Sequence, residues 1–390
     1  MGVTLVINPG SSSKKYAWYQ EGQRVLTVAF ERTSDGIEVG TELRGVRQPI
    51  EHLGPDNYQA ALERCLTKAA ALELTSEAEP IEQVCIRIVA PGSYFQQHLP
   101  VTDEYVARLK QVEAAAPLHV PHMLAEIETV RTTLPDVPLV AASDSATHAH
   151  IPAIARSYSI PPEDTRTHDI YRFGYHGLSV ASVIRRLPAF LGSQPPRVIV
   201  AHVGSGVSVT AFHNGQSVDT SMGFAPGTGV MMASRAGDVD TGALLELMRV
   251  KHLQLIDAHA YLQTRGGLAG LAGDSDLRRV LERRANGDEP AAAAIEQFAY
   301  LIRKQIGAYV AALGGVDALI LTATAAERSS TLRERLLSGL DALGMQLSDD
   351  ENEACIGRDG IISTTASPVV VAVLRTDEMG EMYRVARELR

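Results

Sequence analysis

At 390 residues and 45% hydrophobic, the chain is long enough to bury two substantial cores. A formal net charge of −10 argues against a general nucleic-acid or anionic-membrane surface, so any basic site must be local. The cysteines Cys65, Cys85 and Cys355 lack the spacing of a zinc site or a disulfide framework, which points to a reducing cytoplasm.

No basic segment precedes the first apolar run, no apolar stretch reaches spanning length, and Val6 stands where myristoylation wants Ser or Thr. A protein without leader, anchor or membrane partner is expected. The first informative segment is the run Leu5-Val6-Ile7, which stops in Asn8-Pro9-Gly10-Ser11-Ser12-Ser13-Lys14-Lys15 and resumes at residues 16–19. Such a turn presents backbone N–H groups, hydroxyls and ammonium charge at one point, as a phosphate requires. A Ser-rich surface hairpin fits the same residues.

Further along, residues 57–72 pattern as an amphipathic helix and 84–89 as a buried strand that contains Arg87. A short strand at 139–142 ends in the polar turn Ser143-Asp144-Ser145, and 177–191 patterns as a helix. Residues 197–203 then repeat the opening design: an apolar run, the stop Gly204-Ser205-Gly206, and a second run over 207–212. Asn214-Gly215 is a strong two-residue hairpin signal, and Glu21-Gly22 occupies the equivalent place. Setting Gly22 on Gly215 gives an offset of 193 residues (215 − 22), about half the chain. Two related domains facing one cleft are therefore expected, residues 1–147 with 378–390 and residues 148–377. Later elements are a long helix over 290–313 stopped by Gly314-Gly315, strands at 317–322 and 369–374, and a terminal helix over 377–389. Alternating strands and helices make the class α/β. No P-loop is present, and Gly204-Ser205-Gly206 lacks the third glycine of a dinucleotide fingerprint.

Four segments together resemble the acetate kinase family of the actin-like, ribonuclease H-like superfamily. They are residues 7–15, Ala116-Pro117-Leu118-His119, Phe173-Gly174-Tyr175-His176-Gly177-Leu178-Ser179, and residues 219–226 running on to Arg235-Ala236-Gly237-Asp238-Val239-Asp240. The resemblance implies two duplicated domains around an interdomain active site, and reversible in-line transfer between ATP and acetate giving acetyl phosphate. It implies catalytic roles for Arg87, Asp144, His176 and Arg235, and a small acyl pocket from Val89, Leu118, Tyr175 and Pro226. Phosphate and nucleotide would meet Ser11, Ser12, Ser13, Lys15, His202, Gly204, Ser205, Gly206, Asp276, Leu277, Arg278, Thr324, Ala325 and Ala326. Asn8 and Glu378 would place Mg²⁺ (Mn²⁺ as a substitute) through waters. A cytoplasmic homodimer acting on small molecules, with domain closure to exclude water, completes the implied picture.

Arginine suits this chemistry because its planar fork meets phosphate or carboxylate oxygens in pairs. Arg87 also lies inside an apolar run, where an unpaired cation is costly. The chain departs from the family on the adenosine side. Thr324-Ala325-Ala326-Glu327-Arg328 stands where the family has Gly-x-Gly-Glu-Asn, Ser205 replaces an Asn, and Tyr175 replaces a Phe. Ala90-Pro91-Gly92 replaces His-Gly-Gly, and Val120 replaces an Asn. Glycine allows a ligand to approach the main chain, so pyrophosphate or phosphate in place of ATP/ADP is an alternative. A non-catalytic sensor of acyl phosphate or nucleotide is another, against which the retained charged residues argue. The pairs His119/His122 and His148/His150 fall in expected loops with no carboxylate or thiolate to complete a transition-metal site.

Overall fold

The computed structural model describes residues 2–10, 13–33, 35–76 and 79–390, and of Asp56 only the backbone. The chain divides into two compact units, Met1–Ala146 with Asp377–Arg390, and Thr147–Thr376.

The first unit is built on a sheet of strands β1 (Val3–Pro9), β2 (Ser13–Gln20), β3 (Gln23–Arg32), β4 (Ile37–Leu43), β5 (Val46–Arg47), β6 (Glu51–Leu53), β7 (Ile81–Ile88), β8 (Leu99–Pro100) and β9 (Leu139–Ser143). Their order is β5-β4-β3-β2-β1-β7-β9-β8, with β6 beside β4. The β1–β2 and β2–β3 pairs are antiparallel, while β1–β7 and β7–β9 are parallel. Residues Val3–Ile7 of β1 are buried without alternation, as a strand covered on both faces must be. Helices Val120–Thr133 and Glu378–Glu388 pack on β1 and β7.

The second unit carries β10 (Arg197–Val203), β11 (Val207–His213), β12 (Gln216–Thr220), β13 (Ala318–Thr322), β14 (Gly360–Ile361) and β15 (Val370–Val373). Their order, β12-β11-β10-β13-β15-β14, reproduces β3-β2-β1-β7-β9-β8 of the first unit. The directions match as well, including the short antiparallel edge strands β8 and β14. Both hairpin turns have two consecutive residues at positive φ, Glu21-Gly22 and Asn214-Gly215, the type I′ geometry that matches strand twist. Even the irregularities coincide. The register shifts between Trp18 and Tyr19 in one hairpin and between Ala211 and Phe212 in the other, equivalent positions at the offset that superposes the two glycines. The fold is thus a duplicated α/β actin-like domain. Helix Glu289–Leu313 buries Ile295, Phe298, Ile302, Ile306 and Tyr309 against β10 and β11, and Gly314 ends it in the left-handed conformation. Helix Gly177–Leu191 sets Val180, Val183 and Leu187 against Val198, Val200 and Ile320. No helix among the described residues is long and apolar enough to cross a membrane.

Three sequence expectations are corrected. Residues 57–72 are a 3₁₀ turn, Pro55–Tyr58, followed by helix Ala61–Ala71, because Pro55 starts its own turn. His122 is not in a loop but in the first turn of helix Val120–Thr133, whose N-cap is His119. The segment Thr324–Arg328 is one turn of helix rather than an open loop.

Candidate active site

In the first unit, polar side chains gather at the carboxyl ends of the parallel strands β1, β7 and β9, where open α/β sheets hold ligands. Asn8 is the penultimate residue of β1, Arg87 of β7, and Asp144 follows β9 directly. Arg87 Nη2 donates to Asp144 Oδ2 at 2.8 Å and Nη1 to Asn8 Oδ1 at 3.3 Å. Glu378 Oε2 lies 3.9 Å from the same Nη1 and accepts from Asn8 Nδ2 at 3.2 Å. Glu378 opens the terminal helix, so that helix closes the cluster. The Asp144 side chain is buried and that of Arg87 is 18% exposed. Burial opposes the guanidinium charge, but Asp144 and Glu378 outweigh it and hold Arg87 above its ordinary pKa. Among the described residues Arg87 Nε is buried with no hydrogen-bond partner.

Lys15 sits on β2 directly across from Asn8 and is exposed, with Ser13 half-buried on the same strand. Lys14 is not available beside it. Alternation along β2 turns it inward, where Nζ pairs with the buried Glu126 at 2.7 Å and Tyr16 shares that carboxylate at 2.6 Å. Ser11 and Ser12 lie outside the described residues. Val89 is buried, its N–H donating to Met123 Sδ at 3.0 Å, and Leu118 is half-buried in the turn before that methionine's helix. The oxygen-only donors Asn8, Glu378 and Asp144 fit Mg²⁺, which takes one or two carboxylates and keeps its waters. Among the described residues no group of three or more His, Cys, Asp or Glu stands together, so a soft-metal site has no support there.

In the second unit, the turn Gly204-Ser205-Gly206 is the focus. His176 begins helix Gly177–Leu191 in the left-handed conformation (φ 59°) and its ring stacks on His202 with centroids 4.1 Å apart. Each ring is oriented from behind: His176 Nδ1 lies 3.0 Å from Ser208 Oγ and His202 Nδ1 2.7 Å from Ser179 Oγ. A methyl group placed on Gly206 would stand 2.9 Å from His176 Nε2 and 3.7 Å from Arg235 Nη1. Arg235 Nη1 also donates to the Pro226 carbonyl at 2.8 Å, and Ala233 N to the Ser205 carbonyl at 3.1 Å, which ties the arginine's loop to the turn. Tyr175 is buried with its hydroxyl donating to Phe224 O at 2.6 Å, so that hydroxyl is spent within the protein.

Neighbouring strands carry the rest. His202 of β10 pairs with Thr322 of β13, so the corner at Ala323 borders the same turn. Ala326 is buried, Ala325 half-buried and Thr324 exposed. Asp276 caps helix Leu277–Ala285, accepting from Arg278 N and pairing with the Arg278 guanidinium at 2.7 Å, while Leu277 is half-buried. His148 engages Ser217 Oγ and the Tyr175 carbonyl through its two ring nitrogens, a structural role. Ser208, Ser179 and Ala323 are not among the residues that the sequence singles out. Ser179 ends a family motif and Ser208 lies on a strand with no signal of its own, and nothing in an alanine announces positive φ.

Gly206→Ala is expected to fold normally, since its φ is not in the left-handed region, yet to lose about 10²-fold or more in kcat as the methyl displaces the His176 ring. Gly204→Ala meets only ordinary contacts at 3.5 Å and beyond, so a loss of activity there reports crowding of the ligand. Steady-state kinetics with thermal melts of both variants separate the two cases.

A duplicated sheet of this order, with guanidinium and imidazole groups at strand ends, is the architecture of an actin-like phosphotransferase. The chain belongs to the acetokinase family, phosphotransferases with a carboxylate acceptor, whose model matches residues 3–383. It is 38% identical over 388 residues to the acetate kinase of Clavibacter michiganensis, covering 98% of each chain. The solved acetate kinase of Porphyromonas gingivalis is similar at 30% identity with a TM-score of 0.87, and a propionate kinase from Francisella tularensis at 28% with 0.91, each over 100% of both chains.

Proposed function

We propose that the protein is an acetate kinase, moving a phosphoryl group reversibly between ATP and acetate. The observation that carries this reading is the convergence of His176 Nε2 and Arg235 Nη1 beside Gly206, next to a glycine turn that is open to phosphate oxygens. An acetate oxygen attacks the γ-phosphorus, the bond to the leaving ADP oxygen breaks, and no proton needs to move. Charge neutralisation and alignment then supply most of the catalysis. In this reading Arg87 and Arg235 act on one phosphoryl group, His176 donates to its equatorial oxygens, and Asp144 positions the acceptor or the metal's water shell. Ser11, Ser12, Ser13 and Lys15 in one unit, and His202 with Gly204–Gly206 in the other, bind phosphate oxygens. Asp276, Leu277, Arg278 and the corner Thr324-Ala325-Ala326 border the adenosine. Asn8 and Glu378 would hold Mg²⁺, which when bound neutralises donor phosphate oxygens.

Val89, Leu118, Tyr175 and Pro226 form the acyl pocket of this proposal. Valine at 89 favours a two-carbon acid, though one methylene is worth only about 1–3 kcal/mol, so propionate is a slow substrate rather than an excluded one. A second reading, pyrophosphate as donor, is favoured by one observation: Thr324 projects outward at a position where the family has glycine. A hydroxamate trap for acetyl phosphate, run with ATP and with pyrophosphate, decides. Product with ATP supports the first reading, product with pyrophosphate alone the second, and none with either leaves only a non-catalytic sensor.

A homodimer is part of the proposal. Helix Thr241–Lys251 has no buried residue, and Leu245, Val250, Leu255 and Ile256 expose apolar side chains there and on helix Leu255–Thr264. Light scattering is expected to give twice the chain mass, and the pair Leu255→Asp with Ile256→Asp to give a monomer.

A further inference from the structure

The altered corner after β13 is held from behind by a buried cation that the reaction does not use. Arg333 is fully buried, and its guanidinium donates to the Ala326 carbonyl at 2.7 Å, Asn352 Oδ1 at 2.7 Å, Asn352 O at 2.5 Å and Cys355 O at 2.8 Å. These acceptors are all neutral. Burying a guanidinium against neutral oxygens is costly, and the four buried oxygens it satisfies recover only part of that cost. The geometry supplies a reason for it. Ala323 sits at φ 69° and ψ 164°, a region that residues with a side chain shun. Its Cβ lies 3.6 Å from where a methyl on Gly204 would stand, so this strained residue packs on the phosphate turn.

Two latches fix the corner. On the strand side, Glu327 Oε1 accepts from Ala323 N at 3.0 Å and Thr376 N at 3.2 Å. On the outer side, Arg333 holds the Ala326 carbonyl, Gly357 N donates to Glu327 O at 2.8 Å, and Asn352 Nδ2 donates to Ser330 O at 3.0 Å. With Ala326 drawn inward, its methyl is buried, while Thr324 and Arg328 face out. We infer that Arg333 is a positioning residue for the phosphoryl donor, clamping the Ala326 carbonyl so that the corner Ala323–Arg328 keeps its place beside Gly204–Gly206 and leaves room for a nucleoside phosphate. This rests on the reading of the second unit as the donor side of an acetate kinase.

The test compares wild type with Arg333→Met, which keeps volume, and Arg333→Lys, which keeps charge and one donor. The KM for ATP, the KM for acetate, the affinity for ADP by calorimetry and the melting temperature are measured for each. Arg333→Met is expected to raise the ATP KM and weaken ADP binding by about tenfold, with the acetate KM unchanged and Lys restoring part of the loss. A variant that only lowers Tm and active fraction, or raises both KM values alike, overturns the inference. Should Arg333→Met not fold, the same ratio read on Arg333→Lys decides. Wild-type turnover tests the reaction itself and ADP calorimetry needs no turnover, so the two ideas fail separately. A wild type that binds no ADP overturns this one.

Discussion

Replacing Arg235 by alanine is expected to lower kcat by about 10²–10³ while leaving the melting temperature within a few degrees of wild type. The arginine is half-buried on the irregular segment between β12 and helix Thr241–Lys251, where it donates to the Pro226 carbonyl and approaches Met232 Sδ. Losing the bond to that carbonyl costs about 1–3 kcal/mol. The kinetic loss is larger because the guanidinium would act on charge that develops only in transfer. Arg235→Lys is expected to recover little, since an ammonium cannot reproduce the fork. A variant that retains near-normal turnover in the hydroxamate assay takes Arg235 out of the mechanism.

The duplication was legible because its signals are local. Asn214-Gly215 and Glu21-Gly22 specify tight hairpins by backbone chemistry alone, and unbroken apolar runs specify strands buried on both faces. Arg87 was legible for a similar reason: a cation inside the run of β7 must find partners, and it found Asp144 and Asn8, 57 and 79 residues away, and Glu378, 291 residues away (378 − 87). What stayed hidden depends on where side chains point. Lys14 and Lys15 read alike in sequence, yet the period of a strand sends one to Glu126 and leaves the other exposed across from Asn8. The substituted corner at 324–328 reads as crowding of a loop, whereas a helical turn buries Ala326 and, of the two positions where the family has glycine, leaves Thr324 outward. Arg333 carried no signal, because nothing local says that a charged helix residue faces inward.

Arg87→Met should lose both activity and stability, and the two losses are separable. Removing the guanidinium takes the ion-pair partner from the buried Asp144 carboxylate, which costs about 3 kcal/mol when one partner of a buried pair is deleted. Asp144→Asn in the same chain removes that buried charge, so Arg87→Met with Asp144→Asn is expected to melt above Arg87→Met alone. Turnover behaves differently: the double variant stays about 10²–10³ below wild type, because the asparagine restores packing and not the cation. Denaturant melts beside acetyl phosphate assays test both halves. A double variant that regained activity with stability would show that Arg87 serves the fold of its unit and not the phosphoryl group.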